Sequence, residues 1–109
     1  MLARVYRLPA TTRLSRAHFV KTDLFTIRYG ENNLEVTRFG FVVRKSVDKR
    51  AVVRNRIRRL FRSCIEELQK DIRPGYDMLF FLEKGIIDKQ QADLREEIRK
   101  FLQQRQVIS

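Results

Sequence analysis

Between residues 23 and 43 the apolar positions recur every second residue. In DLFTIRY, Phe25, Ile27 and Tyr29 fall on one face, and Leu24, Thr26 and Arg28 on the other. In LEVTRFGFVV, Thr37, Phe39, Phe41 and Val43 share a face opposite Val36, Arg38, Gly40 and Val42. The turn formers GENN lie between the two runs, and together they predict a β-hairpin. From residue 49 the period becomes helical. At 100° per residue, Val53, Ile57, Leu60, Phe61, Cys64, Ile65 and Leu68 occupy one arc of about 140°. Asp48 is placed to cap this helix, and Pro74 with Gly75 to end it. YDMLFFLE is nearly continuous in apolar residues and predicts a strand buried on both faces. Beyond Gly85, Asp88 and Gln91 stand at capping-box spacing. Leu94, Ile98, Phe101 and Leu102 then predict a final amphipathic helix. Ahead of the hairpin, residues 14–21 (LSRAHFVK) read as a short helix. The pattern is that of an α+β chain, a two-layer α/β sandwich with helices on one face of a sheet. Its length suits one domain, residues 1–109.

Charge sharpens this picture. The formal net charge is +11. Residues 1–62 hold sixteen Lys and Arg against four Asp and Glu, whereas residues 63–109 hold eight against nine. Self-repulsion makes such asymmetry costly for a folded domain, so one half of the chain is expected to meet a polyanion. The helix beginning near Lys49 concentrates it: KRAVVRNRIRRLFRSC contains six arginines, one lysine and no acid. Arg54, Arg58, Arg62, Asn55 and Arg59 fill the arc beside the apolar stripe, with Arg56 beyond them. Arg54–Arg58 and Arg58–Arg62 are like-charge pairs at i, i+4, each unfavourable by a few tenths of a kcal/mol. A solvated face normally interleaves both signs, as DLREEIRK does at residues 93–100. An unbroken row of guanidiniums is instead a set of planar donor forks for phosphate, beside a helix N-terminus that favours anions. Nucleic acid is the leading partner class.

Other chemistry is poorly served. Cys64 is the one cysteine and falls on the apolar arc, where a buried, inert thiol is expected. His18 is the one histidine, Asp71 and Asp77 have no helical pairing as acid and base, and no glycine-rich phosphate loop exists. Catalysis by the chain alone is not expected, nor is a metal site in it. No apolar run approaches the ~18 residues of a membrane span, and MLARVYRLPATTR has no apolar stretch behind its charges. A soluble, cytoplasmic protein without a membrane partner is the expectation.

Arg54-Asn55-Arg56, followed by Ile57, Arg58-Arg59 and Arg62, resembles the signature helix of the bacterial ribonuclease P protein subunit. RLPATTRLSRAHF (7–19), RFGFVVRKSVDKRAVV (38–53) and PGYDMLFF (74–81) are similar to further landmarks of that family, so nearly the whole chain is covered. The resemblance implies an αβββαβα sandwich with a mixed sheet and a left-handed βαβ crossover through the arginine helix. Here the N-terminal helix would be shortened. It implies a subunit of a hydrolytic ribonucleoprotein, an endonuclease that removes the 5′ leader from precursor tRNA. The RNA would perform the cleavage, with Mg2+ held mainly by RNA and substrate, and one protein would bind one catalytic RNA. Carried over by position, Arg54, Asn55, Arg56, Arg58, Arg59 and Arg62 would face RNA, flanked by Lys45, Lys49 and Arg50. Phe19 would line a cleft for the leader. Tyr29 and Phe25 could supply the wall that the short first helix lacks, or belong to the core. The main rival is a structural RNA-binding protein of the ribosomal type, with no processing role. A DNA-binding helix would need a more varied polar face, and a membrane-surface helix would compete with the core for the apolar stripe.

Overall fold

The computed structural model describes residues 4–9, 14 and 17–107. It contains a four-stranded mixed sheet and two helices. The elements are β1 (His18–Lys21), β2 (Phe25–Glu31), β3 (Arg38–Val42), α1 (Ala51–Leu68), β4 (Tyr76–Leu82) and α2 (Gln91–Gln104). Single 3-10 turns lie at Arg4–Tyr6, Gln69–Asp71 and Lys84–Ile86.

The strand order is β1-β2-β4-β3, which corrects the expected hairpin. β2 and β3 do not pair with each other. β4 inserts between them, antiparallel to β2 and parallel to β3, so α1 is the crossover of a parallel β3–α1–β4 unit. β2 and β3 are apolar mainly on one face, through Phe25, Ile27 and Tyr29 and through Phe39 and Phe41, whereas β4 carries apolar side chains on both sides and gains most from a central place. The hairpin that forms is β1–β2, with the Thr22 hydroxyl bridging its tight turn: Oγ1 accepts from the N–H of Phe25 at 3.0 Å. The short helix expected over residues 14–21 is likewise corrected. Residues 18–21 (HFVK) are an edge strand, and Leu14 and Ala17 lie outside any helix. Four residues with an aromatic and a β-branched side chain cannot nucleate a helix, but they pair readily along an existing strand. Residues 15 and 16 fall outside the described residues.

One sheet face carries the core. Phe25, Ile27, Phe39, Val43, Met78, Phe80 and Leu82 meet Val53, Ile57, Phe61, Cys64, Ile65 and Leu68 of α1. Leu94, Ile98, Phe101 and Leu102 of α2 are buried as their spacing predicts. Phe25 lies edge-on to Phe61, Phe80 and Phe101, with ring centroids 5.6, 5.4 and 5.2 Å apart. β4 departs from the expectation of burial on both sides. Met78, Phe80 and Leu82 are buried, but Leu79 and Phe81, on the face away from the helices, are half-buried. Beside them Leu8 donates its N–H to the Phe39 carbonyl, and its side chain lies over Gly40. A Cβ at Gly40 would stand 2.9 Å from Leu79 Cδ1 and 3.4 Å from Leu8, so a larger residue there would push the Leu79 side chain aside.

The expected caps are also displaced. Arg50 occupies the N-cap of α1 and Gln90 that of α2, neither with a side-chain cap bond. Asp48 works two residues earlier, and Asp88 and Gln91 form no capping box. At the far end of the sheet Asp77 is buried in a polar knot. Its two oxygens accept from Arg38 Nε and Nη2 at 2.8 and 2.7 Å, and Oδ1 also accepts from Asn32 Nδ2 at 2.9 Å. Burial pushes the Asp77 carboxyl up, but the hydrogen bonds from Arg38 and Asn32 outweigh it and hold the group below the usual carboxylate range.

Candidate nucleic-acid interface

Burial of the apolar stripe fixes the rotation of α1 and turns its arginines outward. Asn55, Arg56 and Arg59 are exposed, while Arg54, Arg58 and Arg62 sit on the shoulders of the helix, half-buried. Among the described residues no carboxylate ion pair is made by any of these five arginines, nor by Lys45 or Lys49. The acids instead satisfy cations elsewhere: Glu67 binds Arg95 across α1 and α2, and Lys89 binds Glu97. The first turn of α1 contains no acidic residue, so its positive dipole end adds to the same field.

The arginines differ in what holds them. Arg54 Nη1 donates to the carbonyls of Asp48 and Lys49 at 2.9 and 2.8 Å, clamping the basic loop against the helix. Asp48 accepts from the backbone N–H of Arg50 at 2.8 Å and from its guanidinium. These bonds, the side-chain ones first, hold the Asp48 carboxyl down at about 2. Arg50 is thereby tethered, whereas Lys45 and Lys49 project into solvent. Arg58 Nη1 donates to Asn55 Oδ1 at 2.8 Å, which orients both side chains and leaves the Asn55 amide NH2 pointing outward as a donor. Arg62 lies over the Phe41 ring at 6.0 Å.

A second basic surface lies on the sheet face away from the helices. The register aligns Lys21, Thr26, Phe81 and Val42 in one row across the four strands, and Phe19, Arg28, Leu79 and Gly40 in the next. Phe19 is 66% exposed, far more than a phenylalanine in a strand usually is. Together with Lys21, Thr26, Arg28, Arg44, Phe81 and Glu83 it lines an open groove of about 440 Å³. The Arg44 guanidinium stacks on Phe81 at 4.8 Å from the ring centroid. Arg44 also begins the loop that carries Lys45, Lys49 and Arg50 to α1. Aromatic faces interleaved with cations form a platform for unpaired bases and their phosphates.

The cleft residues expected from sequence divide accordingly. Phe19 stands on the groove, though on a strand rather than a helix. Phe25 is 2% exposed in the aromatic core and offers no surface to a ligand. Tyr29 is 9% exposed and faces the helix side of the sheet, so it cannot share a wall with Phe19. Lys21, Arg28, Arg44 and Phe81 were not singled out from sequence. The signal was available, because period two already sets Thr26 and Arg28 opposite Phe25.

Cys64 is buried, and its Sγ lies 3.6 Å from the Gln91 carbonyl. Burial, reinforced by Glu67, pushes the thiol up to about 11. No helix among the described residues is long and apolar enough to cross a membrane.

Known proteins resemble this chain along most of its length. The family described as Ribonuclease P matches residues 11–106. The ribonuclease P protein component of Thermoanaerobacter sp. (strain X514) is 33% identical over 88 residues, 81% of this chain and 75% of that protein. Its counterpart in Caldanaerobacter subterraneus subsp. tengcongensis is 31% identical over 106 residues, 94% of this chain and 90% of that protein. Among solved structures, the protein of Staphylococcus aureus has a TM-score of 0.73 at 21% identity, covering 86% of this chain and 85% of its own. That of Thermotoga maritima has a TM-score of 0.73 at 19% identity, covering 82% and 84%. The two structures share the fold.

Proposed function

This chain belongs to the ribonuclease P protein family, the protein components of the endoribonuclease that matures tRNA 5′ ends, and on that premise we propose how its two basic surfaces divide the work. Ribonuclease P RNA is its partner. In this reading α1 presents Arg56, Arg58, Arg59, Arg62 and Asn55, with Lys45 and Lys49, to that RNA and to the substrate. Arg54 and Arg50 set the loop from which the lysines project. The groove of Phe19, Phe81, Arg44, Arg28 and Lys21 receives the single-stranded 5′ leader of precursor tRNA, one protein serving one RNA in the cytoplasm.

The role is positional and electrostatic. Two polyanions that must meet repel each other, and each guanidinium seated on a phosphate removes part of that repulsion and releases counterions. A leader held by base stacking and backbone charge brings the scissile phosphate into register with the catalytic RNA, converting an encounter into a positioned reaction. Magnesium belongs, in this reading, to RNA and substrate and supplies the hydrolytic chemistry there. The chain's own residues do not fit the ion: among those described, no three His, Cys, Asp or Glu converge as a ligand set. No step of the protein's part runs through it.

The observation that carries this reading is the α1 surface: five arginines on one helix, none paired with an acid among the described residues, held outward by a buried stripe. The test is cleavage of precursor tRNA at low magnesium by ribonuclease P RNA from the same genome, with and without the chain. Rescue only when both are present is expected. Tight RNA binding with no rescue would leave the ribosomal-type reading in its place.

A further inference from the structure

The edge strand β1 bears an aromatic ring on each side of the sheet. Phe19 points to the open groove. His18, opposite Tyr29 in the register, points to the helix side. There the two rings stack with centroids 5.1 Å apart and planes 30° from parallel. Tyr29 is the buried member and His18 the exposed one. The pair forms one wall of a cavity of about 590 Å³, completed by Tyr76, Asn33, Glu31 and Arg105. Arg105 follows the last turn of α2 and lies over the Phe101 ring at 5.6 Å, which fixes its guanidinium at the rim. Asn33 is held in the left-handed region (φ 59°) by a turn braced through Asn32. The Asn32 side chain donates to the carbonyls of Val36 and Tyr76 and accepts from the Leu34 N–H at 2.7 Å.

We infer that this cavity is a second nucleotide site, taking one unpaired nucleotide of an RNA strand on the side of β1 opposite the leader groove. The base stacks on His18, extending the Tyr29–His18 pair. The Arg105 fork takes the phosphate, and Asn33 offers an amide to the base edge. Glu31 at the rim repels a continuing row of phosphates, which limits the site to a single residue. The inference rests on the reading that the chain handles unpaired RNA, but it concerns residues which that reading leaves idle.

The test is titration of the whole chain with AMP, followed by NMR at assigned resonances of His18, Gly30 and Asn33, with inorganic phosphate as the control. Saturable shifts at these residues are expected, with phosphate alone far weaker. His18→Ala should weaken AMP, as read at Gly30 and Asn33, roughly tenfold. Phosphate that reproduces the shifts at equal affinity would reduce the cavity to an anion site and overturn the proposal. So would AMP shifts confined to Phe19 and Phe81, or an undiminished affinity in His18→Ala. Failure of the leader-groove reading shows separately, as binding of a single-stranded hexaadenylate that does not depend on Phe19.

Discussion

Arg54 opens the signature run of α1, yet its guanidinium is turned back onto the loop before the helix, with Nη1 at 2.9 and 2.8 Å from the carbonyls of Asp48 and Lys49. Replacing it with alanine therefore removes two charge-assisted hydrogen bonds from a partly exposed site. At about 0.5–1 kcal/mol each, with the carbonyls able to turn to water, the loss is about 1–2 kcal/mol. For 109 residues the unfolding entropy is about 0.23 kcal/mol/K, which converts this loss to a fall in Tm of about 4–9 °C. Arg59 is exposed and makes no side-chain bond among the described residues, so Arg59→Ala should leave Tm within about 2 °C. RNA binding should separate the two in the opposite sense. Arg59→Ala removes a phosphate contact and flattens the dependence of log affinity on log salt by about 0.7–0.9. Arg54→Ala weakens binding through a loosened loop and changes that slope by much less. Urea or thermal unfolding, paired with RNA binding at several salt concentrations, reads both quantities. An Arg54→Ala protein of unchanged stability that loses a full phosphate's worth of slope would refute the clamp.

Other outcomes follow from the same geometry. Arg58→Ala or Arg62→Ala should flatten the salt dependence by about 0.7–0.9 each, and an unchanged slope would exclude a direct phosphate contact at that position. Phe19→Ala should cost about 1–3 kcal/mol in binding a single-stranded leader while sparing fold stability, and equal affinity would remove Phe19 from the groove. Asp77→Asn should destabilise by about 2–3 kcal/mol at pH 7, because Arg38 loses its buried counter-charge. The Asp77 carboxyl titrates below its unfolded value, so its contribution is present above pH ~4 and lost as pH falls through the folded value. The gap between wild type and Asp77→Asn in urea unfolding should thus narrow at pH 3, and a constant gap would contradict the ion pair. With its thiol raised to about 11, Cys64 should resist alkylation at pH 8 until the chain unfolds, and Cys64→Ala should lower stability without altering cleavage by the folded complex. Rapid labelling of the native protein would argue against its burial.

The helices were legible in sequence because their determinants are local. Val53, Ile57, Phe61, Cys64 and Leu68 repeat at the helical period, and the arginines fill what that stripe leaves over. Strand faces were legible for the same reason, since Phe25, Ile27 and Tyr29 are separated from Thr26 and Arg28 by alternation alone. Strand partners were not. Nothing within residues 23–43 announces that β4, more than thirty residues later, will lie between the two runs, and a turn-forming GENN invites the nearer pairing. Whether Phe25 and Tyr29 belong to a wall or to the core was open for a related reason: only strand register shows that both lie on the helix side of the sheet, opposite Phe19. Phe81 lies in an apolar run whose pattern predicts burial on both faces, which hides its half-exposed side. The Arg54 clamp was invisible because it depends on where two loop carbonyls point.

The place of β4 also constrains the order in which the molecule can assemble. A sheet built from successive hairpins can grow as the chain leaves the ribosome, each strand finding its neighbour already present. Here β3 is made early and must wait for β4, whose register sets Arg38 beside Asp77 and Phe39 beside Met78. Closing such distant pairs before any local reward makes for a slow, all-or-none transition. Until Tyr76–Leu82 arrives, α1 lacks the sheet on which its apolar stripe rests, and the basic half exists as an unfolded polycation in a crowd of RNA. A chain truncated before β4 should therefore lose the arginine helix along with the strand, leaving a sticky, nonspecific binder of polyanions.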